Sequence, residues 1–464
     1  MYLKKILLHQ RSLPTLPAWW WLLVLWLLLG IFGREPWKPD EATNLTWFMY
    51  FYQGGTWRDF LLSHPQASTA APAGYYLWAA ACARFLGTFE PIVAARLLNI
   101  PLFFITVLAS SATVAYWFGA RYAKWFALML AAQLGLLLPI HHLVAENLLL
   151  SGLAIAFWSI GLSTWRTRGL VFAIGLLLIW WAKGVSAWLG LLFLSVTWPY
   201  WRNERRHESS FGLLLGWSLA IGVVWVLVAW SAVGVRGWWN MTHDAWLAWW
   251  QPHAELDLAF YARTLLWFAW PSLPLSVWLL WRQRQFWYLH YPHAMRFAAG
   301  VILALCIQIL CIGVERDIAL LPLLLPLSWL AAVAVERLPR NLASASEWFA
   351  FLTFAVLGAS LWLTGVWWQY ALPPWLAVGA QHYAPPVWNW GAGGVALLAS
   401  GVWWWQVRRR FATGSQALIT WMAGLSLWWS LVMTLWLPWL DANKSYRPLL
   451  LSLKAALPTS VSCL

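Results

Sequence analysis

The sequence predicts an all-α, polytopic membrane protein, and three observations carry this prediction. First, 62% of the 464 residues are hydrophobic and only 10% are charged, a balance that soluble domains of this size do not show. Second, apolar runs of roughly 20 residues recur along the chain, each long enough to cross a bilayer as a helix. Third, Trp residues cluster at the ends of these runs, as at Trp19, Trp367 and Trp403, where interfacial side chains anchor spans.

The apolar runs predict about 13 membrane spans. They lie at 16–32, 92–119, 122–140, 144–162, 169–183, 185–200, 211–233, 263–281, 297–313, 318–335, 346–368, 389–407 and 417–439. The apolar stretch from Tyr75 to Phe85 is too short to cross. We therefore expect interfacial helices in a first outer loop that covers about residues 34–91.

The distribution of basic residues sets the orientation of these spans. With the N-terminus inside, 18 of the 30 Lys and Arg residues and four of the 16 carboxylates fall on the inner side. The whole net charge of +14 then lies inside, as the positive-inside rule requires. The excess charge is therefore a topology signal, and we expect no nucleic-acid partner.

Three ionisable positions stand out on the predicted outer face. Asp40 and Glu41 follow Pro39 and open a predicted helix, where an Asp serves equally well as an N-cap. Glu146 lies at the outer end of a span, where a carboxylate can simply face water. Lys183 precedes a glycine at an outer turn, which suits an anionic group but also a lysine that reaches lipid headgroups.

Carboxylates and a cation at one membrane face fit a reaction with an anionic leaving group and an acceptor that loses a proton. Glycosyl transfer from a lipid phosphate is such a reaction. His141 and His142 beside Glu146 are weak candidates for a divalent cation site, and histidines that bind no metal are the commoner alternative. The four Cys residues show neither metal-ligand nor disulfide-framework spacing.

Seven sequence segments resemble a known family. They are GREPWKPDEA, PAGYYLWAA, FEPIVAARLLNI, LVAENLLLSGLAIAF, WAKGVSAWL, FYARTLLWFAWPSLPL and ERDIALLPLLLPL. Their order and spacing resemble the protein O-mannosyltransferase superfamily, above all its bacterial branch, which includes the aminoarabinose transferase acting on lipid A. The resemblance covers nearly the whole chain.

This resemblance implies a GT-C glycosyltransferase fold, with a transmembrane catalytic domain at residues 1–440 and a cavity at the periplasmic face. It implies an inverting enzyme of the bacterial inner membrane that takes a sugar from a polyprenyl-phosphate donor. The N-terminus would be cytoplasmic, and the active site and C-terminus periplasmic. The acceptor stays open between lipid A, another glycan, a lipid and a protein.

The resemblance also assigns residues to roles. Asp40 matches the first-loop acidic residue that acts as general base or orients the acceptor, and Glu41 follows it as in the family's Asp-Glu pair. Glu146 matches the second acidic position, which is usually an Asp. Lys183 matches the lysine of the family's Thr-Lys-Gly-Pro-like turn, and we expect it to bind the donor phosphate. Arg316 matches a late outer loop and could contact the same phosphate, or pair with its acidic neighbours.

The sequence departs from the family before Tyr75 and Tyr76, which we expect to line the substrate cavity. Many relatives carry a Lys or His there that binds donor phosphate, whereas this chain has alanine and proline. We therefore expect the missing contact to come from another outer residue. The candidates are His64, Arg58 and Arg96, and Arg263 could add a further contact.

Residues 441–464 are predicted to form a short periplasmic segment, which is similar to the start of a soluble domain in some relatives. A shortened family member and a truncated sequence are both open. Two other functions compete with glycosyl transfer: a transporter or flippase of lipid-linked sugars, and a scaffold without catalysis. In every case membrane lipids are expected partners.

Overall fold

A computed structural model of the chain describes residues 19–63, 73–183, 258–312, 317–367, 389–408 and 413–456, with scattered positions between 216 and 234. Nearly all of these residues are helical, and none of them forms a β-strand. The all-α prediction is therefore confirmed.

Twenty α-helices carry the described part of the chain. The first ten are α1 (Trp19–Leu28), α2 (Asp40–Tyr52), α3 (Trp57–Ser63), α4 (Ala73–Phe85), α5 (Pro91–Leu97), α6 (Asn99–Trp117), α7 (Ala120–Ala131), α8 (Leu134–Leu137), α9 (Glu146–Ser159) and α10 (Trp165–Lys183). The others are α11 (Leu258–Phe268), α12 (Ser272–Arg282), α13 (Arg284–His290), α14 (Pro292–Ile312), α15 (Leu324–Arg337), α16 (Arg340–Trp367), α17 (Trp390–Val407), α18 (Gly414–Leu435), α19 (Leu437–Lys444) and α20 (Arg447–Ala456). Two 3-10 helices, Pro139–His141 and Asp317–Leu323, add short turns.

Several of these helices are long and apolar enough to cross a membrane, which confirms the prediction of a multi-pass membrane protein. In the part of the chain that the structure describes, six helical segments qualify without a sharp bend: Pro91–Trp117, Trp165–Lys183, Pro292–Ile309, Asp317–Arg337, Arg340–Val366 and Gly414–Leu435. The predicted spans at 185–200 and, for the most part, 211–233 lie outside the described residues. The count of about 13 spans therefore stays a prediction. Helix α4 has only 13 residues, as expected for a segment too short to span.

Two predicted spans are broken helices. α7 and the segment Leu134–His141 meet at 66°, and α11 and α12 meet at 96°. Gln133 joins the two breaks, because its Oε1 accepts from Ser272 at 2.8 Å and its Nε2 donates to the carbonyl of Leu324 at 3.1 Å. The backbone nitrogen of Leu134 also donates to the carbonyl of Trp270 at 3.2 Å. A backbone donor at one break is thus satisfied by a backbone acceptor at the other, as irregular backbone at membrane depth requires.

Helices α9 and α10 run antiparallel with almost no space between their backbones. A Cβ atom on Gly152 would lie 2.9 Å from the carbonyl oxygen of Gly175, and one on Gly175 would lie 2.7 Å from the backbone nitrogen of Ala156. Only glycine permits this approach, as in other tightly packed membrane helices. The crossing fixes the first turn of α9 against the last turn of α10.

Loops that the charge pattern assigns to the inner side of the membrane meet at one end of this helix group. The side chain of Glu336 lies 3.9 Å from Arg121 and 3.6 Å from Lys124. Both basic residues come from one predicted inner loop and Glu336 from another. The contact agrees with their common assignment, while the orientation of the termini stays a prediction.

The chain divides into two compact units, Met1–Gly30 with Arg340–Asn443, and Ile31–Pro339 with Lys444–Leu464. In the first unit, the indole nitrogen of Trp429 on α18 donates to the carbonyl of Leu29 at 2.7 Å. The second unit holds all the described candidate site residues. The predicted domain boundary at 440 stays a prediction.

We expect Gly175→Ala to destabilise the protein by about 1–3 kcal/mol, because the added methyl group meets the α9 backbone. The measurement is the thermal unfolding midpoint of the protein in detergent. Gly401→Ala is the matched control, since its Cβ would meet no atom within 4 Å. Equal midpoints for the two variants would contradict the close crossing of α9 and α10.

Candidate active site

Glu41 lies at the centre of a buried ionic network. Its carboxylate is 2.6 Å from Nη1 of Arg34 and 2.8 Å from Nε of Arg96, and all three side chains are 0% exposed. The backbone nitrogens of Trp37 and Leu143 also donate to this carboxylate, each at 3.2 Å. Every oxygen of the carboxylate is thus occupied by protein donors.

The network keeps Glu41 ionised. Burial alone raises the pKa of a carboxylate, but the charges of Arg34 and Arg96 outweigh burial and hold the pKa of Glu41 well below its ordinary value. A buried charge of this kind is tolerated when it is both paired and hydrogen-bonded.

Arg96 fastens the start of the first outer loop. Its Nη1 donates to the carbonyls of Ile31 at 3.3 Å and Arg34 at 2.8 Å, and its Nη2 donates to that of Glu35 at 3.2 Å. With Glu41 on its Nε, the fully buried guanidinium is committed to protein acceptors. This geometry favours a structural role for Arg96 over the predicted contact with donor phosphate. It also favours a structural role for Glu41 over direct action on substrate.

The turn that leads into α9 is held by side chains from four other parts of the chain. Its carbonyls accept hydrogen bonds from a loop arginine and from three asparagines on α2, α6 and α9. These bonds run from Arg34 to His141 at 2.9 Å, from Asn44 to Leu143 at 2.9 Å, from Asn99 to Ile140 at 3.1 Å and His142 at 2.8 Å, and from Asn147 to Pro139 at 2.8 Å. These side chains satisfy backbone carbonyl groups of the turn that are not part of a regular α-helix, and they hold the turn in place.

Glu146 and Lys183 form an ion pair at the close crossing of α9 and α10. The Glu146 side chain is 9% exposed and that of Lys183 is 29% exposed, so the lysine is the member of the pair that reaches the surface. Glu146 stands in the first turn of its helix and Lys183 in the last turn of its own, so both charges also complement the helix dipoles. The structure thus brings together two residues predicted to serve one site.

Tyr75 and Tyr76 stand in the first turns of α4 and are 0% and 2% exposed. The hydroxyl of Tyr75 donates to Oδ1 of Asn99 at 2.7 Å. Burial, and then the negative charges of Glu146 and Asp40, raise the pKa of Tyr76. Tyr76 therefore shares its electrostatic surroundings with two of the predicted acidic site residues.

Asp40 is the first residue of α2 and is partly exposed, whereas its neighbour Glu41 is buried. The N-cap position belongs to Pro39, so the alternative that Asp40 is the N-cap is wrong. Successive helical residues point about 100° apart. The same turn therefore directs Glu41 inward and leaves Asp40 at the surface.

Of the other predicted site residues, the structure describes Arg263 and Arg58. Arg263 is exposed on α11, where its Nε donates to the carbonyl of Ala259 one turn earlier, and Arg58 is exposed on α3. His64 and Arg316 lie outside the described residues. Their predicted roles stay predictions.

The residues around His141 and His142 do not fit a divalent cation. The ring of His141 is 0% exposed, and its Nδ1 lies 2.6 Å from the carbonyl oxygen of Leu137. Nε2 of His142 is buried, without a hydrogen-bond partner in the described part of the chain, beside the positive charges of Arg34 and Arg96. Among the described residues, no three His, Cys, Asp or Glu side chains form a group that could hold a metal ion.

Sequence reasoning missed four residues that build the site: Arg34, Asn44, Asn99 and Asn147. The signal for Asn99 was available, because an amide inside an otherwise apolar predicted span requires a partner. Arg34 gave no such signal, because an arginine just outside a span is common and reads as a surface charge.

No protein-family model and no curated protein matches the sequence. Two solved structures match the fold, both of ArnT from Cupriavidus metallidurans. The form bound to undecaprenyl phosphate has a TM-score of 0.63 at 16% identity, over 96% of this chain and 80% of that chain. The apo form has a TM-score of 0.59 at 17% identity, over 95% and 81%. ArnT is an aminoarabinose lipid A transferase of the GT-C type.

The chain has the GT-C fold. At these identities the likeness shows the fold alone, and the activity has to be argued from the residues of this chain. The fold expected from the sequence resemblance is confirmed.

Removing one member of the buried network leaves the others as uncompensated charges. We expect Glu41→Ala to lower the free energy of unfolding by about 3–5 kcal/mol. The measurement is denaturation in detergent, with Glu336→Ala as the control. The Glu336 ion pairs are exposed, and we expect their loss to cost about 1 kcal/mol or less. Equal losses for the two variants would contradict the central place of Glu41.

The pH dependence of stability tests whether His142 is buried in the folded protein. Burial, the largest cause, lowers the pKa of His142 from 6.5 to about 3. Between these two pKa values the unfolded chain binds a proton at His142 that the folded chain does not bind. The stability of the folded protein therefore falls as the pH drops from 6.5 towards 3. We expect His142→Gln to lose less thermal stability than the wild type between pH 7 and pH 5, roughly the upper half of the window. The exposed His290→Gln is the control, and a wild-type-like slope for His142→Gln would contradict the enclosure.

Proposed function

We propose that the protein is an inverting glycosyltransferase that moves a sugar from a polyprenyl-phosphate donor to an acceptor at the periplasmic face of the bacterial inner membrane. The observation that carries this proposal is the ion pair of Glu146 and Lys183 within the GT-C fold. Glu146 directly follows a turn that is hydrogen-bonded to Glu41 and Asn44 on α2, the helix that Asp40 begins. The solved neighbour bound to undecaprenyl phosphate supports a donor of this lipid class.

In this proposal Lys183 receives the donor phosphate. The ammonium group of Lys183 pairs with Glu146, and 29% of the side chain is exposed, so a phosphate at the surface can reach it. Glu146 then acts by holding the lysine, since its carboxylate is nearly buried. A cation fixed before the reaction stabilises the charge that develops on the leaving phosphate. The direct catalytic role predicted for Glu146 becomes a positioning role.

Asp40 acts on the acceptor. It orients an acceptor hydroxyl, or takes its proton, while the acceptor oxygen forms a bond to the anomeric carbon and the bond from that carbon to the phosphate oxygen breaks. Attack from the side opposite the phosphate inverts the configuration. Because a phosphate ester is a good leaving group, orientation and charge neutralisation can carry much of the rate.

Other outer residues complete the proposed site. Arg316, Arg263 and His64 are candidates for additional contacts with the donor phosphate, and Tyr76 is a candidate wall of the sugar pocket. The acceptor remains open between lipid A, another glycan, a lipid and a protein. Comparing the cell-envelope glycolipids of cells with and without the protein by mass spectrometry would identify it.

We expect Asp40→Asn to lower the rate of transfer from a polyprenyl-phosphate sugar by about 10²–10⁴-fold. We expect Lys183→Ala to lower it by about 10²–10³-fold, because one fixed charge is lost from the transition state. The measurement uses purified protein in detergent or nanodiscs, with the anomeric configuration of the product read by NMR.

Asp59→Asn and Lys124→Ala are matched controls that remove an exposed carboxylate on α3 and an exposed ammonium on α7. Wild-type rates are expected for both. Wild-type rates in Asp40→Asn and Lys183→Ala would overturn the proposed function. Movement of the lipid-linked sugar across vesicles that lack acceptor would instead support a flippase.

A further inference from the structure

The loop that leads into Asp40 has no regular secondary structure. Residues 34–39 run from the buried network to the first turn of α2, starting after Gly33 at φ +70°. The buried side of this loop is fastened by Arg96, which binds the carbonyls of Arg34 and Glu35. These bonds leave Pro36 to Pro39, the part nearest Asp40, without support from Arg96.

A second segment of the chain meets this part of the loop. The backbone nitrogen of Lys38 donates to the carbonyl of Lys444 at 2.8 Å, and the Lys38 ammonium lies 5.6 Å from the ring centre of Tyr446. Arg447 donates to Oε1 of Glu35 at 2.6 Å. Residues 444–447 therefore contact the loop at two places before Asp40, at Glu35 and at Lys38.

Ser445 ties these contacts into one unit. Its hydroxyl donates to Oε2 of Glu35 and accepts from the backbone nitrogen of Arg447 at 2.9 Å. The residue is only 6% exposed. Both oxygens of Glu35 are thus bound by Arg447, the first residue of α20, and by Ser445, two positions before it.

We propose that residues 444–447, the C-terminal clasp, position Asp40 for the reaction. The proposal rests on the proposed function, in which Asp40 acts on the acceptor. Only Pro39 separates Lys38, whose backbone the clasp holds, from Asp40. A displacement of Lys38 therefore moves the carboxylate, and displacements of about 1 Å are enough to slow an oriented reaction strongly.

The ion pair of the clasp adds little to the stability of the protein. The side chains of Arg447 and Glu35 are 69% and 25% exposed, and ion pairs this open contribute little to folding. Its effect is expected in the turnover number and not in the unfolding midpoint. This difference separates positioning from a general structural role.

The test is a charge-reversal cycle in the full-length protein. We expect Arg447→Glu and Glu35→Arg each to lower kcat about tenfold, with the KM for the polyprenyl-phosphate sugar and the thermal midpoint unchanged. The double variant, which restores opposite charges, should recover most of the lost rate. Hydrogen exchange of the Lys38 amide should accelerate in the single variants and slow again in the double variant.

Lys454→Glu is the control, because it reverses an exposed charge two turns further along α20. Wild-type rates in both single variants would overturn the proposal that the clasp positions Asp40. A double variant that does not recover the lost rate would also overturn it. If the Asp40→Asn variant is inactive at the same time, the proposed function stands without the clasp. If Asp40→Asn is fully active, the proposed function itself has failed.

Discussion

The interaction on which the rest of the site depends is the buried contact of Glu41 with two arginines. Three charged side chains are removed from water here, which is tolerated only because the carboxylate accepts five hydrogen bonds and the guanidinium groups donate to several carbonyls as well. The network joins pieces of chain that are far apart in sequence, from the loop at Arg34 to the turn at Leu143. The hydrogen bonds of the network therefore fix the positions of these pieces relative to one another.

That arrangement gives adjacent acidic residues different roles. Glu41 points into the protein and fixes the backbone, while Asp40 remains at the surface on the same helical turn. A second fixed point comes from the glycine crossing of α9 and α10, which brings Glu146 to Lys183. Both contacts adjoin the turn before α9, whose carbonyls accept hydrogen bonds from Asn44, Asn99 and Asn147. The same set of hydrogen bonds therefore helps to position Asp40 and Glu146.

The sequence predicted the fold class, because apolar length, charge asymmetry and motif order are local properties of the chain. The roles of the site residues stay predictions. The sequence predicted Glu146 and Lys183 as members of one site but not as an ion pair, since the pairing depends on where two glycines allow helices to approach. Arg96 was predicted to bind phosphate from its charge alone, and its burial could not be read from the pattern. The breaks near Gln133 and Pro271 were also missed, because hydropathy records length but not direction.

The most direct measurement is an experimental structure of the protein in nanodiscs with bound undecaprenyl phosphate. This account predicts a phosphate oxygen about 3 Å from Nζ of Lys183, with Glu41 still bound to Arg34 and Arg96. A phosphate seated on Arg96, with the Glu41 network opened to admit it, would contradict the division between a structural framework and a reactive surface.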